Sequence, residues 1–100
     1  MAESYYVAVS PHNYNSTTLG LSATIQVSAA IPNFLITEYF VNFEELGKDI
    51  STHPFEVDGG YIKLPTEPGL GMDLKEENLE KYPYKQFPLR NLAHYSDEGP

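Results

Sequence analysis

The chain has 100 residues, 41% hydrophobic and 20% charged, and a net charge of −8 from fourteen acids against six Lys plus Arg. That length allows one small domain with a modest core and excludes a closed (β/α)8 barrel, which takes roughly 250 residues. The acidic balance argues against nucleic acid and anionic membrane as partners, and the lack of cysteine removes disulfides, thiolate metal sites and thiol nucleophiles.

The charge is unevenly placed. From Ser4 to Thr37 there is no Asp, Glu, Lys or Arg, and every Lys and Arg stands at or after Lys48. The first part therefore reads as a buried or interface-facing block, and the second carries the solubility. Asn13, Asn15, Ser16, Thr17, Thr18, Gln26 and Pro32 interrupt the uncharged stretch, so no apolar run of about 20 residues exists to span a membrane. The start, MAESYYVAVS, lacks the basic region and continuous apolar core of a secretory signal. A cytoplasmic protein is expected.

In chain order, Tyr5-Tyr6-Val7-Ala8-Val9 is a near-continuous run of strand-forming residues, the pattern of a parallel strand covered on both faces. Pro11, which has no amide hydrogen, ends it. Ser16 or Thr17 is placed to cap a helix over residues 17–31. Its apolar residues fall in two stripes, Leu19, Ala23, Val27, Ala30 and Ile31, then Leu21, Ile25 and Ala29. Pro32-Asn33 stops the helix, and Phe34-Leu35-Ile36-Thr37 opens a second strand ending at Glu38. Tyr39 to Phe43 reads as aromatic loop or extended chain, and Glu44 to Pro54 as polar and irregular. Phe55-Glu56-Val57, Asp58-Gly59-Gly60 and Tyr61-Ile62-Lys63-Leu64 spell a hairpin with a tight turn. Pro65, Pro68, Gly69 and Gly71 make a rigid loop. Asp73 with Glu76 forms a capping-box pattern for a short helix over 74–81, stopped at Tyr82-Pro83. The tail over 84–100 reads as extended, with its last residues frayed.

Strand, crossover helix and parallel strand place the functional groups where the strands end. A helix of about 14 residues rises about 21 Å, so the chain runs down the sheet and returns along a strand about 4.8 Å away. His12 and Glu38 should therefore meet at one rim. Asn13 and Asn15 could line the same rim, but turn formation explains them as well. His53 and His94 read as surface residues, and Asp58-Gly59-Gly60 as a turn rather than a metal loop.

Pro11-His12-Asn13, the run from Ala29 to Phe34 with Glu38-Tyr39, Gly60-Tyr61-Ile62 through Pro65, and Pro68-Gly69-Leu70-Gly71 resemble the C-terminal part of the mandelate racemase branch of the enolase superfamily. Within it they look most like the acid-sugar (aldonate and aldarate) dehydratases. The resemblance implies an α/β fold, the C-terminal fragment of a (β/α)7β barrel similar to a TIM barrel. Residues 1–46 would be its last strand–helix–strand unit. Residues 47–100 would be a hairpin, short helix and tail returning to a capping domain.

The same resemblance implies the chemistry. His12 matches the acid/base histidine that moves the proton next to the substrate carboxylate, assists loss of the β-hydroxyl, or both. Glu38 matches the carboxyl group that hydrogen-bonds the substrate carboxylate and shares the developing charge. Asn13 is a candidate substrate contact. The intact enzyme would use Mg²⁺, act on a sugar acid and assemble as a homo-oligomer, with the 17–31 helix at a subunit contact. The family's metal-binding carboxylates and the Asp that orients the histidine sit on earlier strands, so this chain alone is expected to bind no metal and to be inactive. The alternative is a non-catalytic orphan fragment or association module.

Overall fold

The computed structural model describes residues 1–14 and 16–86; Asn15, His94 and the tail beyond residue 86 lie outside the described residues. A 3-10 helix at Glu3–Tyr5 opens the chain, followed by α1 (Thr18–Ala30), a second 3-10 helix (Val41–Phe43) and α2 (Glu44–Ile50). Strands β1 (Val57–Asp58) and β2 (Tyr61–Ile62) and the single-turn helix α3 (Glu76–Leu79) complete it.

The two expected parallel strands are present as adjacent, parallel segments but with little ladder. Val9 and Phe34 form one parallel bridge. The Val9 amide donates to the Asn33 carbonyl at 2.8 Å, the Leu35 amide to the Val9 carbonyl at 2.9 Å, and the Glu38 amide to the Pro11 carbonyl at 3.3 Å. The Asn33 side-chain amide adds a bond to the Val7 carbonyl at 2.8 Å. Upstream the strand expected from Tyr5 is corrected to a turn. The amides of Tyr6 and Val7 fold back onto the carbonyls of Glu3 and Ala2, and Tyr6 is left-handed at φ 56°. The physical reason is exposure. Parallel strands are stable when flanked and covered on both faces, whereas here Val7, Leu35 and Ile36 are 53%, 68% and 61% exposed.

Helix α1 starts at Thr17, which caps it with no side-chain hydrogen bond. It buries Thr18, Leu21, Ser22, Ile25 and Ser28, while Leu19 and Val27 on the other expected stripe stay exposed. The buried side is thus one apolar stripe interleaved with small polar residues. Ser22 stays satisfied there by donating to the Thr18 carbonyl at 2.8 Å. Among the described residues the buried hydrophobic ones are Leu21, Ile25 and Ile50, so the small core is drawn from α1 and α2.

Helix α2 corrects the expectation of irregular chain after Glu44. Lys48 pairs with Glu44 at 2.7 Å and with Glu45 at 2.9 Å, the spacing that supports a helix. These contacts hold the Lys48 ammonium above its ordinary range, Glu44 first. At its end α2 meets the 73–75 segment through an antiparallel bridge between Ser51 and Leu74. It is clamped to α3 by Asp49, which accepts from Lys81 at 3.1 Å, Tyr82 at 3.0 Å and Asn78 at 3.2 Å.

The expected hairpin is present, Val57 opposite Ile62 and Asp58 opposite Tyr61, with Gly59 and Gly60 at φ 55° and 84° as a two-residue turn of this kind requires. The expected helix over 74–81 shrinks to one turn. Asp73 caps no helix, because its carboxylate accepts from the next amide, Leu74, at 2.8 Å. No helix among the described residues is long and apolar enough to cross a membrane.

Two predictions test this packing. A methyl group added at Gly47 runs into the Thr18 hydroxyl but meets the Thr18 Cβ at an ordinary 3.6 Å. Helix propensity alone favours Ala there by about 1 kcal/mol, so the sign is diagnostic. Gly47→Ala should destabilise by about 1–3 kcal/mol, and Thr18→Ala in the same chain should recover much of it, both read by urea denaturation.

The second concerns acid. Hydrogen bonds from Lys81 and then Tyr82 hold the Asp49 carboxyl below the usual carboxylate range. A depressed carboxylate contributes stability above its unfolded value, lost as pH falls through its folded value. Asp49→Asn should therefore melt below the wild type at neutral pH. The two melting curves should converge as pH drops below about 4.

Candidate functional site

Position follows from the pairing just described. His12 stands just after the Val9 bridge position and Glu38 just after the Phe34 one, so parallel register carries both to one end of the pair. There the His12 Nδ1 lies 2.7 Å from the Glu38 Oε2. The Asn13 amide donates to the same Oε2 at 2.8 Å, and the Thr37 hydroxyl donates to the Pro11 carbonyl at 3.4 Å. Ser10, Pro11, His12, Ile36, Thr37 and Glu38 line one open depression. The rim drawn from crossover geometry is therefore the rim that forms.

The side chains of His12 and Glu38 are 79% and 41% exposed, so water screens the pair and its own contribution to stability is small. Asn13 differs, being 3% exposed. Its backbone faces Glu38 while its side chain points inward, where the Thr24 hydroxyl lies 3.4 Å from its Oδ1 and 3.1 Å from the Gly20 carbonyl. One hydroxyl proton serves only one of these, and the shorter bond within α1 takes it. His53 is exposed, with its Nδ1 3.1 Å from the Thr52 hydroxyl, and stands apart from this rim.

An aromatic row backs the site, and sequence reasoning missed its connection to His12. Tyr14 lies nearly parallel to the imidazole at 6.4 Å. Phe40 meets Tyr14 edge-on at 4.9 Å, and Phe43 meets Phe40 likewise at 4.9 Å. The signal was available as a cluster of aromatics just beyond both rim residues. Tyr39, next in sequence to Phe40, lies beside Glu44. Burial first, and then the Glu44 charge, raises its phenol above its ordinary value.

Among the described residues no group of three or more His, Cys, Asp or Glu comes together to hold a metal ion. A hard cation such as Mg²⁺ asks for several oxygen ligands in octahedral array. One carboxylate beside one imidazole does not fit that demand.

The enolase C-terminal domain-like family matches residues 1–78. The chain belongs to that family. Among its relatives is the D-xylonate dehydratase of Haloferax volcanii, 36% identical over 84 residues that cover 82% of this chain and 20% of the relative. The D-gluconate dehydratase of Thermoproteus tenax is 32% identical, covering 82% of this chain and 16% of the relative. In structure it resembles an enolase of the mandelate racemase subgroup from Agrobacterium tumefaciens, with TM-score 0.71 and 33% identity over 81% of this chain and 22% of that one. The chain thus spans about a fifth of the length of the relatives it matches. In this enolase-superfamily chain the observed helix-and-hairpin piece is a C-terminal-domain segment.

The Glu38 carboxylate is the acceptor for the Asn13 N–H, a donor on a nearly buried residue. Leaving it unpaired costs about 1–3 kcal/mol. Glu38→Ala should speed hydrogen exchange at the Asn13 amide by at least about tenfold. Glu38→Gln, which keeps an acceptor oxygen, should preserve the protection.

Proposed function

We propose that this chain supplies the last strand–helix–strand unit, residues 1–46, and the returning segment, residues 47–100, of a cytoplasmic acid-sugar dehydratase built on a (β/α)7β barrel. The observation that carries the proposal is the meeting of His12 and Glu38 at 2.7 Å on one rim, in a chain whose relatives are named sugar-acid dehydratases. His12 serves as the acid/base. It takes the proton from the carbon next to the substrate carboxylate and returns one to the departing β-hydroxyl, which leaves as water. Glu38, as a neutral carboxyl group, donates a hydrogen bond to the substrate carboxylate and shares the negative charge that develops as the proton leaves. Asn13 is part of the same rim. Mg²⁺, which this chemistry implies, is assigned to carboxylates on other strands of such a barrel, since the described residues of this chain do not fit it. The uncharged outer face of α1, with Leu19, Ala23, Val27 and Ala30, is assigned to a subunit contact of a homo-oligomer.

A second reading has its own support. Val7, Leu35 and Ile36 are exposed beside a parallel pair with open edges, and such edges recruit other chains. A non-catalytic association module would use them.

One exchange experiment separates the two. Put this chain in place of the matching fifth of the Haloferax volcanii D-xylonate dehydratase and assay D-xylonate and D-gluconate with Mg²⁺. The dehydratase reading expects turnover, lost by at least about a hundredfold in His12→Asn, and none from this chain by itself. A soluble hybrid that is inert, with this chain self-associating as concentration rises, supports the association module. An active His12→Asn hybrid rejects the role given to His12.

A further inference from the structure

Asn13 is 3% exposed, and its main chain and side chain serve different elements. The backbone N–H donates to the Glu38 Oε2 at 2.8 Å. The side chain turns to α1, where its Oδ1 lies 3.4 Å from the Thr24 hydroxyl oxygen. That hydroxyl has one proton, and the Gly20 carbonyl at 3.1 Å takes it. Two acceptor oxygens then face each other in a nearly buried place, and among the described residues the Asn13 Nδ2 has no acceptor. Buried polar groups rarely stay so. The oxygen and nitrogen of a carboxamide are close to the same size, so a half-turn about Cβ–Cγ exchanges them with little disturbance. After that turn Nδ2 donates to a lone pair that Thr24 leaves open, and Thr24 still donates to Gly20.

We propose that Thr24 is a positioning residue for the rim: it holds the Asn13 carboxamide, nitrogen toward α1, in a relay that ends on the Gly20 carbonyl, and so steadies the main-chain amide that engages Glu38. The relay runs one way, from Nδ2–H to the Thr24 hydroxyl and from that hydroxyl to Gly20, with each donor used once. It ties the segment after the first strand to the middle of the crossover helix. A satisfied polar network of this kind holds its members rigid. The relay follows from the hydrogen-bonding count, while its use in binding rests on the dehydratase reading above. On that reading the Asn13 N–H keeps Oε2 an acceptor, so the proton that neutral Glu38 gives to the substrate carboxylate sits on Oε1. Loosening Asn13 then weakens the hold on substrate more than the proton transfer at His12.

Exchange of the Asn13 side-chain amide protons, followed by ¹⁵N NMR on the full chain, tests the relay. They should exchange more slowly than those of Asn42, which is exposed. Thr24→Val keeps the size of the side chain and loses the hydroxyl, and should speed them by about fivefold. Thr24→Ser should keep them slow. If Thr24→Val does not fold, Thr24→Ala carries the same comparison. Free exchange of these protons in the folded wild type, or protection untouched in a folded Thr24→Val or Thr24→Ala chain, overturns the relay. The positioning role is read separately in the dehydratase hybrid. There Thr24→Val should raise KM for D-xylonate by at least about threefold with a smaller fall in kcat, and Thr24→Ser should restore it. An inert wild-type hybrid rejects the sugar-acid assignment and leaves the relay to the exchange result. An active hybrid whose KM ignores Thr24→Val rejects the positioning role.

Discussion

A few hydrogen bonds between the segments around Val9 and Phe34 set the register on which the site depends. The pairing shifts by one residue along the pair, since the Glu38 amide, and not the Thr37 amide, reaches the Pro11 carbonyl, and that step lets His12 and Glu38 meet beyond the Val9–Phe34 bridge. The Val9 amide to Asn33 and the Leu35 amide to Val9 fix the pairing at the bridge, and the Glu38 amide to Pro11 fixes it one residue further on at the rim. The Asn33 side chain, bonded to the Val7 carbonyl, locks the point where the chain leaves α1 and turns back. The ladder is short, yet it brings together two groups 25 or 26 positions apart, Asn13 with Glu38 and His12 with Glu38.

The stability of this piece comes chiefly from elsewhere. Among the described residues the buried hydrophobic ones are Leu21 and Ile25 of α1 and Ile50 of α2, and the Asp49 cluster ties α2 to α3. The rim pair itself is open to water on both members, where ion pairs contribute little. Site and scaffold are therefore separate, joined through Asn13, whose side chain is buried against α1 while its amide serves Glu38. The charge pattern follows the same division. The uncharged first part forms the pair and the crossover, and the acidic second part braces it from outside.

Much of this was legible in the residues. Continuous β-branched and aromatic runs on either side of a polar-capped helix gave the crossover, and its length gave the common rim for His12 and Glu38. Gly59-Gly60 between two short apolar runs gave the hairpin. Three features were misjudged for identifiable reasons. Helix α2 was concealed by its polarity, although Glu44, Glu45 and Lys48 stand at helical spacing. The strand from Tyr5 was over-extended because apolar runs record what a fully flanked sheet would bury, and here that flank is open. The capping box at Asp73 failed because its carboxylate bonds Leu74 instead. No pattern in the sequence could have shown that Asn13 reaches Glu38 by its backbone, since main-chain contacts leave no residue signature.

The central claim is that parallel pairing carries an imidazole and a carboxylate to one edge. Nuclear Overhauser contacts measured on the intact chain test it most directly. The account predicts cross-peaks between the Val9 and Phe34 backbones, and between the His12 ring and the Glu38 methylene protons. A folded chain that shows neither, with His12 and Glu38 each in contact only with unrelated surface residues, would contradict it.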